Sequence, residues 1–241
     1  MEARVESAIS MGKGVFAALP SRADAVDALL AKHFAMSVPA FRAAARASCV
    51  PRKSNAELVR TQEAVHELLV GGAADMRALE CWLLTRVPQV SDGNNFGAEV
   101  QHFVLEQLQK SRAQLSGLTE LMTAYLKARG EASEKLGPAK SSESTTAESA
   151  ESKTEEGVAK ESSVKKTEKS EKSVTKEEVE DLQHHVVELD VKQYVALEGA
   201  LRDLSQAYVR AFDLLDKNKD KCENPRGDAD ASGGGRMNSM Y

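Results

Sequence analysis

The sequence predicts an all-α fold, an elongated antiparallel four-helix bundle. Three observations carry that expectation. Apolar side chains recur at helical spacing through four long stretches. Proline- and glycine-bearing segments, above all Val87–Gly97 (VPQVSDGNNFG) and Gly137-Pro138, punctuate the stretches. Aromatic residues make up only 5% of the chain, so aromatic packing cannot dominate its core, whereas 41% hydrophobic residues suffice for a helical bundle.

The first stretch, Met1–Lys32, carries Val5, Ile9, Val15, Leu19, Val26 and Leu30 at roughly helical intervals among helix-favouring alanines. Pro20 either kinks this helix or is accommodated within it at a cost in backbone hydrogen bonding. Residues His33–Arg52 contain Pro39 and Pro51 and read as a connection with one short helical turn. The second helix spans Ser54–Arg86. Ser54 with Glu57 three residues on forms a capping-box pattern, and Leu58, Gln62, Val65, Leu69, Ala73, Met76, Leu79 and Leu83 trace one face. Gly71-Gly72 interrupts its propensity but lets a neighbouring helix come close. Trp82, the only tryptophan, reads as a packing residue.

Val87–Gly97 then reads as the tip of an αα-hairpin, because Pro88 and Asp92-Gly93-Asn94-Asn95 end helices and form tight turns. The third helix is expected over Ala98–Leu136, with Val100, Val104, Leu108, Leu115, Leu118, Met122, Tyr125 and Leu126 on its buried side, and Gly137-Pro138 as its stop. Residues 139–176 change to Ser, Thr, Glu and Lys. Such a segment buries too little surface to offset its ordering entropy, so a disordered tether is expected. Glu177–Lys219 is the fourth helix, striped by Leu182, Val186, Leu189, Leu197, Leu201, Leu204, Tyr208, Phe212 and Leu215. Residues 220–241 read as a flexible tail.

The chain is therefore read as one domain over 1–241. Residues 1–52 form the first helix and connection, and 53–136 the second and third helices around the central loop 87–97. The insert 139–176, the fourth helix 177–219 and the tail 220–241 complete it. Four antiparallel helices joined in this order place the 87–97 loop and the C-terminal tail at one pole, with both long connections at the other.

Composition and motifs exclude several functions. A formal charge of -5 argues against general nucleic-acid binding. Three widely spaced cysteines, Cys49, Cys81 and Cys222, fit a reducing cytoplasmic or nuclear compartment rather than a disulfide framework. No run approaches the roughly 18 apolar residues of a membrane span, and MEARVESAIS lacks the layout of a secretory signal. Asp216, Asn218 and Asp220 imitate the start of a calcium loop, but Lys221 and Gly227 stand where a glycine and a bidentate glutamate belong. His184 and His185 are adjacent and so diverge on a helix, and His66-Glu67 lacks a second histidine. With no phosphate-binding glycine motif and no activated thiol, there is no catalytic residue set, no metal site and no cofactor to assign. The residues point to a protein that acts by binding.

Several stretches carry a family resemblance. Pro88–Gly97 with Glu99-Val100-Gln101 resembles the activation-loop signature I-P-x-I-E-D-G-N-N-F-G-V of the 11S (PA28/REG) proteasome activators, and Asp92–Gly97 matches it at six consecutive positions. Tyr125–Ala132 (YLKARGEA) is similar to the family's Y-F-S-E-R-G-D-A, and Val187-Glu188-Leu189-Asp190 with Tyr194 to its V-H-E-L-D and following tyrosine. Ala207-Tyr208, Asn224-Pro225-Arg226-Gly227 and Met240-Tyr241 have counterparts in its fourth helix and tail, whereas residues 1–50 match only loosely.

The resemblance implies four-helix subunits assembled as a homoheptameric ring, with mixing with a paralogue left open. It implies docking on the α-ring of the 20S proteasome and ATP-independent gate opening, without enzymatic activity of the ring's own. Ser239, Met240 and Tyr241 would dock, the carboxylate of Tyr241 meeting a lysine between α subunits. Pro88, Ser91, Asp92, Gly93, Asn94, Asn95, Phe96 and Gly97 would form the activation loop, with Asn94 its key position. Seven weak tails would add through effective concentration. No nucleic acid and no membrane enter this scheme. The chain departs from the family pattern at Ser91, commonly glutamate. It also departs in the charged insert, which here follows the third helix rather than the first, and in the added glycine-rich Ala229–Arg236. The alternative reading of the residues is a helical-bundle adaptor or structural protein that binds another helical partner.

Deleting 139–176 should leave the helical signal and thermal midpoint in circular dichroism unchanged; a collapse of either would show that the segment is more than a tether.

Overall fold

The computed structural model describes residues 1–49, 53–89, 95–135 and 180–226. Every regular element among them is a helix: α1 (Glu2–His33), α2 (Val38–Ser48), α3 (Ala56–Leu84), α4 (Phe96–Leu118), α5 (Leu121–Lys135), α6 (Glu180–Lys217) and α7 (Lys219–Glu223). The fold is all-α over these residues. At about 1.5 Å per residue the 38-residue α6 extends about 57 Å.

Local chemistry explains where the boundaries depart from expectation. Pro20 lies inside an uninterrupted α1, whose buried face runs Gly12, Val15, Leu19, Ala23 and Val26. The 33–52 connection holds an eleven-residue helix rather than a single turn. Ser37 caps α2 by accepting from the Ala40 amide, and Pro39 sits in its first turn, where no amide hydrogen is needed. Asn55, not Ser54, caps α3, its side chain accepting from the Leu58 amide at 3.2 Å.

The expected third helix is two helices. Amides of Thr119 and Glu120 bond three residues back, to Ser116 and Gly117, and the Thr119 hydroxyl donates to the Ser116 carbonyl at 2.6 Å. That tightened turn closes α4, and Ala124 donating to Glu120 restarts the helix as α5. At the other end, residues 219–226 are not a loose tail. They form α7 and a turn, with Cys222 only 1% exposed.

Successive long segments run antiparallel. Gly12 lies against Trp82 and Ala78, Arg112 bonds Glu80, Gln114 bonds Asp203, and Ser205 bonds Asp27. Between them Leu19, Leu69, Met76, Leu79, Leu83, Leu108, Leu115, Leu201, Leu204 and Leu215 are buried. Gly72 does not break α3. A Cβ there would meet the end of the Leu204 side chain, so Gly72 leaves room for that side chain of α6. Phe16 stacks on Phe212 (5.5 Å between centroids) and packs against Trp82 (6.0 Å), confirming Trp82 as a core residue. At the opposite pole α2 caps the bundle: Phe41 stacks on Tyr194 at 4.0 Å, and Arg42 grips Glu188 with two bonds of 2.7 and 3.1 Å. That pairing holds the exposed Glu188 carboxyl below its ordinary range.

Two triads centred on buried carboxylates cross the core. Asp75 on α3 accepts from Tyr208 on α6 at 2.8 Å and pairs with Arg22 on α1. Asp190 on α6 accepts from Tyr125 at 2.8 Å and from Arg129 at 2.7 Å, both on α5. Burial and then the neighbouring carboxylate push both phenols well above the ordinary value of 10.0. Since the folded state holds these protons more tightly than the unfolded chain, their stabilisation is complete below pH 10 and is lost as pH rises toward the elevated values. Above pH 10 each tyrosine should lower the unfolding free energy by about 1.4 kcal/mol per pH unit. In urea titrations from pH 8 to 11.5, a Tyr125→Phe/Tyr208→Phe variant should show a shallower alkaline fall than wild type; equal slopes would contradict the account.

Candidate functional site

The pole at which α3 ends holds the stems of the 87–97 loop singled out in the sequence. Helix α3 stops at Leu84. Thr85 closes it, its hydroxyl donating to the Trp82 carbonyl at 2.6 Å, and the amides of Arg86 and Val87 bond back to Leu83 and Leu84. Pro88 is half-buried and Gln89 exposed as the chain leaves the bundle. It re-enters at Asn95, which caps α4 through its backbone: its carbonyl accepts from the Glu99 amide at 3.0 Å. Glu99 in the first turn complements the helix dipole. Phe96 is 60% exposed and Leu84 52%, two large apolar side chains facing outward at this pole.

The next turns of α4 point inward. Gly97 is buried because the backbone of Pro225 lies directly on it; a Cβ at Gly97 would overlap the Pro225 carbonyl. Four residues on, the fully buried Gln101 spends both amide hydrogens on main-chain acceptors, Arg86 O at 3.1 Å and Cys222 O at 2.9 Å. The Arg226 guanidinium donates to the Gln89 carbonyl. Lys13 pairs with Glu223 at 3.2 Å and ties α1 to the same corner. Burial, then nearby Glu223, raises the Cys222 thiol to about 11, so it stays protonated and behaves as a small apolar plug. The loop's two stems and the root of the tail thus form one bonded patch.

Of the loop residues singled out from sequence, Pro88, Asn95, Phe96 and Gly97 belong to this patch. Ser91, Asp92, Gly93 and Asn94 lie outside the described residues, as do Ser239, Met240 and Tyr241 and the 139–176 insert. Two further contributors, Gln101 and Cys222, have no role legible from the motifs. Gln101 was detectable in principle, since positions 97, 101, 104 and 108 share one helical face and three of them are Gly, Val and Leu. Cys222 had no such signal, because α7 is too short to show a period. Among the described residues no group of three metal-ligating side chains occurs, and no helix is long and apolar enough to cross a membrane.

The motif pieces that resembled one family also meet in space: Tyr125 and Arg129 reach Asp190, and Gly97 meets Pro225. The model for "Proteasome activator PA28, C-terminal" matches residues 51–143 and 140–232, well over half of the chain. The chain belongs to the PA28 proteasome activator family. It is 23% identical over 174 residues to human proteasome activator complex subunit 3, covering 72% of this chain and 54% of that protein, and matches the chicken subunit to the same extent. The chain spans about half the length of these curated relatives. Among solved structures, the 11S subunit of Plasmodium falciparum PA28 aligns at TM-score 0.53 and 20% identity, over 72% of this chain and 59% of that one. PA26, solved in complex with an archaeal 20S proteasome, aligns at TM-score 0.54 and 16% identity over 99% and 94%. At these identities the likeness is one of fold.

Gly97→Ala should therefore dislodge α7. Its added methyl must displace backbone, a cost of about 1–3 kcal/mol, and amide exchange at Cys222 and Asn224, whose N–H groups bond Asn218 and Asp220 at 2.8 Å, should accelerate. Unchanged protection of those two amides would refute the contact.

Proposed function

We propose that this PA28-family chain is a non-enzymatic, ATP-independent activator of the 20S proteasome, acting in the cytoplasm or nucleus as a four-helix subunit of a ring, most simply a homoheptamer. The supporting observation is the bonded patch: loop stems Gln89 and Gly97 are held against tail-root residues Pro225 and Arg226. An activator that docks through one segment and opens a gate with another needs both at one face.

In this mechanism the Ser239–Tyr241 segments occupy pockets on the proteasome α-ring, each weakly. Once one is seated the others bind at high effective concentration, so ring assembly multiplies affinity. Docking brings the Pro88–Gly97 loops, with Asn94 as their acting residue, onto the gate. The activator binds the open gate more tightly than the closed one, and that difference drives opening. The triads around Asp75 and Asp190 supply rigidity rather than chemistry: a loop can bias a gate only if its base does not yield. The α2 cap lies at the opposite pole, away from the docking face.

The decisive experiment mixes the purified protein with a matched 20S proteasome and a short fluorogenic peptide. Hydrolysis should rise with activator concentration and saturate without ATP; no stimulation would leave the helical adaptor as the better reading. Asn94→Tyr should still co-sediment with the proteasome yet lose stimulation. Removing Met240-Tyr241 should raise the half-saturating concentration by about tenfold or more, because every tail in the ring loses affinity at once. Equal loss of docking in both variants would contradict this division of roles. Sedimentation analysis of the free protein gives the ring size, and a monomer at micromolar concentration would rule the mechanism out.

A further inference from the structure

We infer that Gln101 is a positioning residue for gate opening: its side-chain amide couples the tail root to the loop stem, so that a docked tail sets the loop's height. The inference rests on the activator reading and deepens it.

The geometry is specific. Gln101 has no exposure, and its Nε2 donates both hydrogens, one to the Arg86 carbonyl beyond the end of α3 and one to the Cys222 carbonyl in α7. These acceptors lie far apart in sequence, one past the end of α3 and one in α7, and the Gln101 amide links them directly. The opposite amide orientation would set Oε1 against two carbonyl oxygens, so only one orientation fits, and it leaves Oε1 without a protein partner. A side chain that accepts this arrangement while buried is being held for its two donors.

The surrounding contacts make the link directional. On the same face of α4, one turn earlier, Gly97 lies under Pro225, and Arg226 reaches the Gln89 carbonyl from outside. Force on the chain beyond Arg226 thus meets a first tie at Gln89 and a second, buried one at Gln101. Gln101 sits on α4, the helix that begins at the loop's second stem, and holds Arg86, at the loop's first stem. A pull on the tail root is delivered to both stems together. Apolar packing of Cys222 alone would keep the corner dry but would not set the axial position of α7, because dispersion contacts tolerate sliding that a pair of hydrogen bonds does not.

Gln101→Met keeps the length and volume of the side chain and removes both donors. In the peptide-hydrolysis assay its maximal stimulation at saturating concentration should fall by about fivefold, the lower range of coupling factors between linked sites. Its half-saturating concentration should stay within about twofold of wild type, since the docking segment is untouched. Iodoacetamide labelling, read peptide by peptide so that Cys49 and Cys81 are resolved, should modify Cys222 about tenfold faster in the variant, reporting local opening of α7.

A variant with wild-type maximal stimulation, or one that loses affinity and keeps its maximum, would overturn the assignment, as would unaltered Cys222 labelling. If Gln101→Met melts near assay temperature, Arg226→Ala decides. It removes the outer tie at an exposed position and should lower maximal stimulation without shifting half-saturation; no effect counts against coupling. A wild-type protein that fails to stimulate overturns the activator reading instead, and Cys222 labelling then decides whether Gln101 joins the two segments.

Discussion

Two buried carboxylates set the register of this bundle. Asp75 requires Arg22 and Tyr208, and Asp190 requires Tyr125 and Arg129, so α1, α3, α5 and α6 each carry a polar group that has one acceptable partner height. Leucine-rich faces do not impose this by themselves, since sliding one apolar stripe along another by a turn still buries most of both. A buried carboxylate slid away from its arginine would stand uncompensated, at a cost of about 3–5 kcal/mol. The Arg112–Glu80 pair, with Glu80 buried, extends the same constraint to α4. Replacement of such groups by apolar residues is often tolerated for stability, so their value here lies in fixing alignment.

Alignment matters because the pole that carries the loop stems and the tail root is assembled from parts far apart in sequence. Gln101 reaches Cys222 and Arg86 only if α4, α6 and the end of α3 finish at matching heights. A shift of α6 by one turn, about 5.4 Å, would carry α7 beyond hydrogen-bond range of α4. The same alignment lets Gly97 meet Pro225 and lets Lys13 reach Glu223. Interior charge in the middle of the molecule thus has its consequence at one end, where the loop and the tail root are joined. The exposed Phe96 and Leu84 belong to that end as well, and their apolar surface faces outward beside the bonded patch.

Much of this was legible in the chain. The periodicity of Leu58, Val65, Leu69, Met76, Leu79 and Leu83 marks the buried face of α3, and Trp82 packs against Phe16 and Gly12 as its place in that periodic stretch implies. The αα-hairpin turn and the shared pole followed from proline, glycine and helix order. Boundaries were less legible. Asn55 outcompeted Ser54 as a cap although both side chains suit the position, because the cap goes to whichever residue lies half outside the first turn. The α4–α5 break rests on Thr119 and Glu120, neither of which is a strong helix breaker. Pro20 is the converse, a breaker by propensity that a long packed helix absorbs.

By itself the sequence determined the all-α class, the approximate extent of the long helices and the family, because helical periodicity and short motifs are local properties written along the chain. Tertiary structure alone decided which motifs serve one another. Tyr125 and Arg129 in one motif are explained by Asp190 in another, and Gly97 by Pro225, since a buried donor or a missing Cβ has meaning only against the group that faces it. Gln101 is the plainest case. In the sequence it is one polar residue on an apolar face; in the fold its amide joins the end of α3 to α7, because a main-chain carbonyl from each converges on it.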